Sequence, residues 1–245
     1  MPASSIAHRS PVFAAGARAV ARLQRYGLRS LAYWLLACLP CAALASNPGS
    51  APEQAPQPAA AVKPVILVLG DSLSAGYGLT AAQGWVSLLQ DWLQQQDRNY
   101  NIVNISISGE TTSGGLARLP AALARWQPAV VIVALGGNDG LRAAPLPLVE
   151  DNLNKIIELC RAYAAKIVLA GMHIPPNYGP RYADAFFAIY ARLAQQQSLP
   201  LVPFLLDGVA TNPALMQDDG LHPNANAQPR IVKNITAVLA EILAN

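Results

Sequence analysis

A three-layer α/β/α sandwich around a five-stranded parallel sheet is the fold class predicted for residues 63–245, and two observations predict it. Apolar runs rich in β-branched residues alternate with stretches of three-and-four apolar spacing, the rhythm of strand–helix–strand units. The runs are apolar throughout rather than at every second residue, as in strands covered on both faces. Right-handed crossovers then reduce the strand order to a flavodoxin-like one. The strands fall at 64–69, 101–107, 129–135, 166–171 and 199–204. Between them lie helices at about 83–96, 113–125, 146–164 and 181–197, with a last one at about 225–243. Trp85, Leu88, Leu89, Trp92 and Leu93 show the helical spacing most clearly, since they share one face of a helix and could not share one face of a strand. No internal repeat is visible, and the length suffices for one domain with a full core.

In open parallel sheets, ligands bind beyond the carboxyl ends of the strands. Val65-Ile66-Leu67-Val68-Leu69 runs into Gly70-Asp71-Ser72-Leu73-Ser74, so a stiff strand stops abruptly and presents the Ser72 hydroxyl at that end. Serine is a poor nucleophile until a base takes its proton. Asp219-Gly220-Leu221-His222-Pro223-Asn224 offers the base, with a carboxylate three residues before an imidazole. Ser72, Asp219 and His222 form the expected triad, in one of several chain orders that build the same geometry. Asp218 ranks second as the carboxylate. His173 has no carboxylate beside it in sequence and reads as structural or as lining the substrate site. Asp71 and Ser74 read as supports for the turn. Cys160 falls in a helical pattern and reads as buried filler.

Four segments carry a family resemblance: Gly70–Ser74, Ser106-Ile107-Ser108-Gly109-Glu110-Thr111, Gly136-Gly137-Asn138-Asp139 and Asp219–His222. In this order they resemble the four sequence blocks of the SGNH (GDSL) hydrolases. Gly115–Pro120, Asn177-Tyr178-Gly179 and Met216–Gly220 extend the likeness to the bacterial periplasmic thioesterase I, lysophospholipase and arylesterase group. The resemblance implies a serine esterase acting on acyl esters and thioesters through an acyl-enzyme. It implies an oxyanion hole made by the backbone N–H groups of Ser72 and Gly109 and the side-chain amide of Asn138. Glycine admits a close backbone approach, and an amide donor brings no charge to disturb His222. Ser72 stands in Gly-x-Ser-x-Ser rather than Gly-x-Ser-x-Gly, which departs from the α/β-hydrolase pattern. The alternatives are a carbohydrate O-acetyl esterase or acetyltransferase and, outside catalysis, an inactive binding module of the same fold.

The loops after Asn138 and His173 are expected to wall the acyl groove, with Asp139, Leu141 and Tyr178 touching substrate. Their apolar and proline-rich composition suits a flexible alkyl chain better than a sugar. Gly78-Leu79 beside the nucleophile loop differs from the related sequences and bears on substrate preference. No cofactor is implied. The few histidines and cysteines exclude a three-His or Cys-rich metal site, and the glycine-rich Gly136–Gly140 lacks the Gly-Lys-Ser/Thr ending of a nucleotide loop.

Residues 1–45 read as a secretory signal peptide. Arg9, Arg18, Arg22, Arg25 and Arg29 precede the apolar stretch Leu31–Leu44, and Ala43-Leu44-Ala45 supplies a cleavage site before Ser46. An uncleaved anchor, or lipid attachment at Cys38, is the alternative. Residues 46–62 are rich in proline and alanine and read as a disordered spacer. The leader takes all five of its basic residues and no acid with it, which turns a net charge of +3 slightly negative and removes any case for nucleic-acid binding. It also takes Cys38 and Cys41, leaving Cys160 without a disulfide partner. The expectation is a periplasmic or secreted monomer that acts on small acyl esters, thioesters or lysophospholipids, in transient contact with membrane lipid.

Overall fold

The apolar runs form one parallel sheet in the order β2-β1-β3-β4-β5. Its strands are β1 (Val65–Gly70), β2 (Asn101–Asn104), β3 (Val130–Ala134), β4 (Lys166–Ala170) and β5 (Leu201–Val202). The computed structural model describes residues 63–244; the expected leader and spacer, with Cys38, Cys41 and Ser46, lie outside the described residues. β1 sits between β2 and β3, pairing Leu67 with Val103 on one side and Val131 on the other. Every residue of β3 is buried, as its unbroken apolar run requires. Among the described residues, no helix is long and apolar enough to cross a membrane.

Among the described residues, seven α-helices connect and cover the strands: α1 (Ser72–Ala75), α2 (Trp85–Gln95), α3 (Thr112–Trp126), α4 (Gly137–Leu141), α5 (Leu146–Ala162), α6 (Pro180–Gln197) and α7 (Gln228–Ala244). α2 packs on α7, while α3 packs on α5 and α5 on α6, which gives the two helical layers. Trp85, Val86, Leu89 and Leu93 are the buried face of α2. α3 contains Pro120 on its solvent side, where the missing N–H and the ring disturb least. Gln127 at φ 41° ends that helix in a left-handed cap.

Two strands are shorter than expected, for different reasons. β5 spans two residues because Pro200 and Pro203 bracket it, and proline cannot donate to a ladder. β2 ends at Asn104, whose side-chain oxygen accepts the Ser106 N–H at 3.0 Å and starts a turn; beyond it, bonds from Ile105 and Ile107 to β1 persist. α1 and α4 replace expected loops. Both are under two turns long, and glycine-rich α4 has little local propensity, so packing rather than sequence makes it helical.

Candidate active site

Asp71 follows β1 and caps α1, accepting the Leu73 N–H at 3.0 Å through its side chain. That turn places Ser72 at the first helical position, where backbone amides have no acceptor within the helix. The loop before α7 meets it from the other side. His222 Nε2 lies 2.9 Å from Ser72 Oγ, and His222 Nδ1 lies 2.6 Å from Asp219 Oδ2. The other oxygen of Asp219 accepts the backbone N–H groups of Leu221 and His222, each at 2.9 Å. The His222 backbone N–H, then its ring and the Leu221 N–H, hold the Asp219 carboxyl down to about 2. An ionised carboxylate at Nδ1 assigns the ring proton there and leaves Nε2 as the acceptor facing Ser72. The partner of His222 is therefore Asp219 and not Asp218.

Gly109 and Asn138 line the same cleft as Ser72 and His222. Gly109 sits at φ 80°, and a Cβ there would meet nothing within 4 Å, so backbone conformation rather than space calls for glycine. Asn138 Nδ2 donates to the Glu110 carbonyl at 2.9 Å, which uses one of its two N–H groups. α4 thus grips the Gly109 loop, and Arg142 Nη2 adds a bond to the Gly109 carbonyl at 3.2 Å. Beneath these contacts lies a buried polar network. Asp139 accepts both the backbone N–H and the hydroxyl of Thr112, at 2.9 and 2.7 Å. Asn152 of α5 donates to the hydroxyls of Thr112 and Ser113, at 3.1 and 2.9 Å.

That network corrects one expectation. Asp139 does not touch the cleft: it is 4 % exposed and turned inward to Thr112, because its carboxylate finds charge-assisted donors there. Tyr178 is half-buried and is not among the residues that line the cleft. Its hydroxyl donates to the Leu141 carbonyl at 2.8 Å, which ties it to a residue of the cleft wall. Leu141 lines the cleft. His173 lies on the lining too, its ring 4.2 Å from that of Phe187. Cys160 is buried, and burial pushes its thiol up to about 12. Ser74 is buried under the turn beside Gly70.

The cleft measures about 280 Å³. This is near the lower end of the roughly 300–1,000 Å³ usual for ligand sites, enough for the reacting end of a substrate. Met172, Phe204 and Leu206 supply apolar lining that sequence reading missed, since they come from the segments after β4 and β5 and share no motif; Leu221 adds to it from within the Asp219–His222 turn. Tyr77 was also missed, although its position five residues after Ser72 was a usable signal; its ring lies 4.4 Å from that of His222. Asp71 lies 2 % exposed at the floor. Burial raises its carboxyl to about 6, against the lowering effects of the Leu73 N–H and of His222. Among the described residues, no three His, Cys, Asp or Glu side chains cluster as a metal would need.

Comparison with known proteins matches this geometry to a named group. Residues 68–228 match the model of the GDSL-like lipase/acylhydrolase family. The chain is 49% identical over 178 residues to esterase TesA of Pseudomonas aeruginosa, covering 73% of this chain and 89% of that protein. It is 48% identical over 172 residues to thioesterase 1/protease 1/lysophospholipase L1 of Escherichia coli, covering 70% and 81%. A crystal structure of the psychrotrophic esterase EstA from Pseudoalteromonas sp., inhibited by monoethylphosphonate, superposes with a TM-score of 0.71 at 40% identity, covering 74% and 99%. The chain belongs to the GDSL-like lipase/acylhydrolase family.

Proposed function

We propose that this chain is a serine esterase that hydrolyses acyl esters and thioesters through an acyl-enzyme on Ser72. The observation that carries the reading is the unbroken line of contacts from Asp219 through His222 to Ser72, 2.6 and 2.9 Å long, ending on an apolar cleft. Ser72 Oγ attacks the acyl carbon while His222 Nε2 takes its proton, and Asp219 stabilises the imidazolium. The oxyanion forms against the N–H groups of Ser72 and Gly109 and the Asn138 amide. His222 then returns the proton to the departing alcohol or thiol. A water repeats the sequence and frees the acid. Inhibition of the related Pseudoalteromonas esterase by a phosphonate fits such a nucleophile.

The acyl chain is assigned to the wall of Leu141, Met172, Pro175, Phe204 and Leu206. Its apolar character and the names of the relatives, which include an arylesterase from Vibrio mimicus, favour fatty acyl esters, thioesters and lysophospholipids over acetylated sugars. Each buried methylene contributes up to ~0.8 kcal/mol, so kcat/KM should climb from acetyl to medium chains and level off once the cleft is full. The test is kcat/KM over an acyl series from acetyl to palmitoyl, set against acetylated xylan. A preference for acetyl groups on xylan would replace this reading with a carbohydrate esterase. The leader-like residues 1–45 support export to the periplasm or beyond.

A further inference from the structure

A serine mechanism dictates where the leaving group must go. The departing oxygen or sulfur takes its proton from His222 Nε2, so it has to lie within hydrogen-bond reach of that nitrogen. The leaving group therefore departs beside the imidazole, and whatever flanks that ring walls its path. Tyr77 flanks it, with ring centroids 4.4 Å apart and the planes tilted by 35°.

Tyr77 is also the most exposed large hydrophobic side chain among the described residues, at 52%. A mobile loop would explain such exposure, but this ring has a built seat. The Tyr77 N–H donates to the Ser72 carbonyl at 3.1 Å, and its own carbonyl accepts Gln217 Nε2 at 2.8 Å. The same amide reaches the Pro223 carbonyl at 3.0 Å, tying the Tyr77 turn to the His222 loop. Gly78 makes this possible: at φ 73°, a Cβ there would stand 2.2 Å from Gln217 Oε1. A large aromatic surface is thus held open at the cleft, next to the group that protonates the leaving atom.

We propose that Tyr77 forms the leaving-group subsite and favours esters of flat aromatic alcohols, whose rings stack on it while the ester oxygen lies at His222 Nε2. The inference rests on the serine-esterase reading above. Tyr77 then sets specificity for the alcohol, independently of the acyl wall.

The test compares 2-naphthyl butyrate with ethyl butyrate, which form the same butyryl-enzyme, so that kcat/KM isolates the steps through loss of the alcohol. Tyr77→Leu keeps apolar bulk but removes the ring, and should lower the naphthyl-to-ethyl ratio of kcat/KM about fivefold, the scale of one aromatic pair. Tyr77→Ala should do the same, and Tyr77→Phe should retain the wild-type ratio. If both esters slow together in Tyr77→Leu and Tyr77→Ala, the ring only positions His222 and the proposal is wrong. If Ser72→Ala hydrolyses both esters at the wild-type rate, the esterase reading itself fails and takes the subsite with it.

Discussion

Two carboxylates flank the Ser72–His222 pair, and the protein holds them in opposite ways. Asp71, under the nucleophile, is 2 % exposed and raised to about 6 by burial. Asp219, beside the base, has a side chain 41% exposed and lowered to about 2 by N–H donors within its own turn. The contrast extends to their surroundings. The half around Ser72, Gly109 and Asn138 draws on β1, the Gly109 loop, α4 and, through Asn152, α5, joined by side chains distant in sequence. The base half is a surface turn held mainly by bonds within itself, the Met216–Pro223 bridge and the N–H donors to Asp219, with Gln217 Nε2 bonded to the Tyr77 carbonyl across to the other half. One half is positioned by tertiary packing and the other by local chemistry. Damage should spread in the first and stay local in the second.

The largest effect expected in the packed half is at the oxyanion itself. Asn138→Ala should lower kcat by about 10²–10³ with little change in KM, because its amide acts on charge that develops in the transition state. Steady-state kinetics decides this; a raised KM with intact kcat would make Asn138 a ground-state contact and dissolve the distinction between the halves. Thr112→Val comes next. It removes the hydroxyl shared by Asp139 and Asn152, leaves buried polar atoms unpaired at a cost of about 1–3 kcal/mol, and loosens α4 against the Gly109 loop. kcat should fall about tenfold, within the penalty of a small misplacement, and Thr112→Ser should restore it. If Thr112→Val melts earlier yet turns over normally, the network supports the fold without positioning the donors.

The smallest effect concerns Asp71 and pH. Its folded value near 6 lies above the ordinary 3.8, so the folded state keeps a proton that the unfolded chain releases between them. That contribution is full below about pH 4 and is lost as pH rises through about 6. Asp71→Asn keeps an acceptor for the Leu73 N–H and cannot ionise, so thermal melts should show it gaining on wild type across this window, by at most about 3 kcal/mol. Asp219 has the opposite sign. Its contribution is present above the ordinary 3.8 and fades only as pH falls through about 2, so it leaves the same window flat. A melting difference that is constant with pH would show that Asp71 does not titrate there.

The same contrast explains what sequence could show. The turn around Asp219 and His222 was legible because its partners are three residues apart, and Ser72 because an unbroken β-branched run stops just before it. The sheet order followed from strand–helix alternation and crossover handedness. Asp139 and Tyr178 were placed on the cleft because proximity in sequence to Asn138 and His173 stood in for orientation; only the fold shows that Thr112 and Leu141 claim them. Met172, Phe204 and Leu206 carry no chemistry of their own, and residues that meet only through folding leave no mark at any spacing. The two residues of β5 depend on where Pro200 and Pro203 fall relative to β4, a matter of register.

The central claim is that Ser72 is the nucleophile and His222 its base, and covalent labelling tests it most directly. An activated phosphonate ester should add one equivalent to the wild-type protein, with peptide mass spectrometry placing the adduct on Ser72 alone. His222→Ala should label far more slowly, since nothing would then take the Ser72 proton. An adduct on another serine, or labelling of His222→Ala at the wild-type rate, would contradict the account.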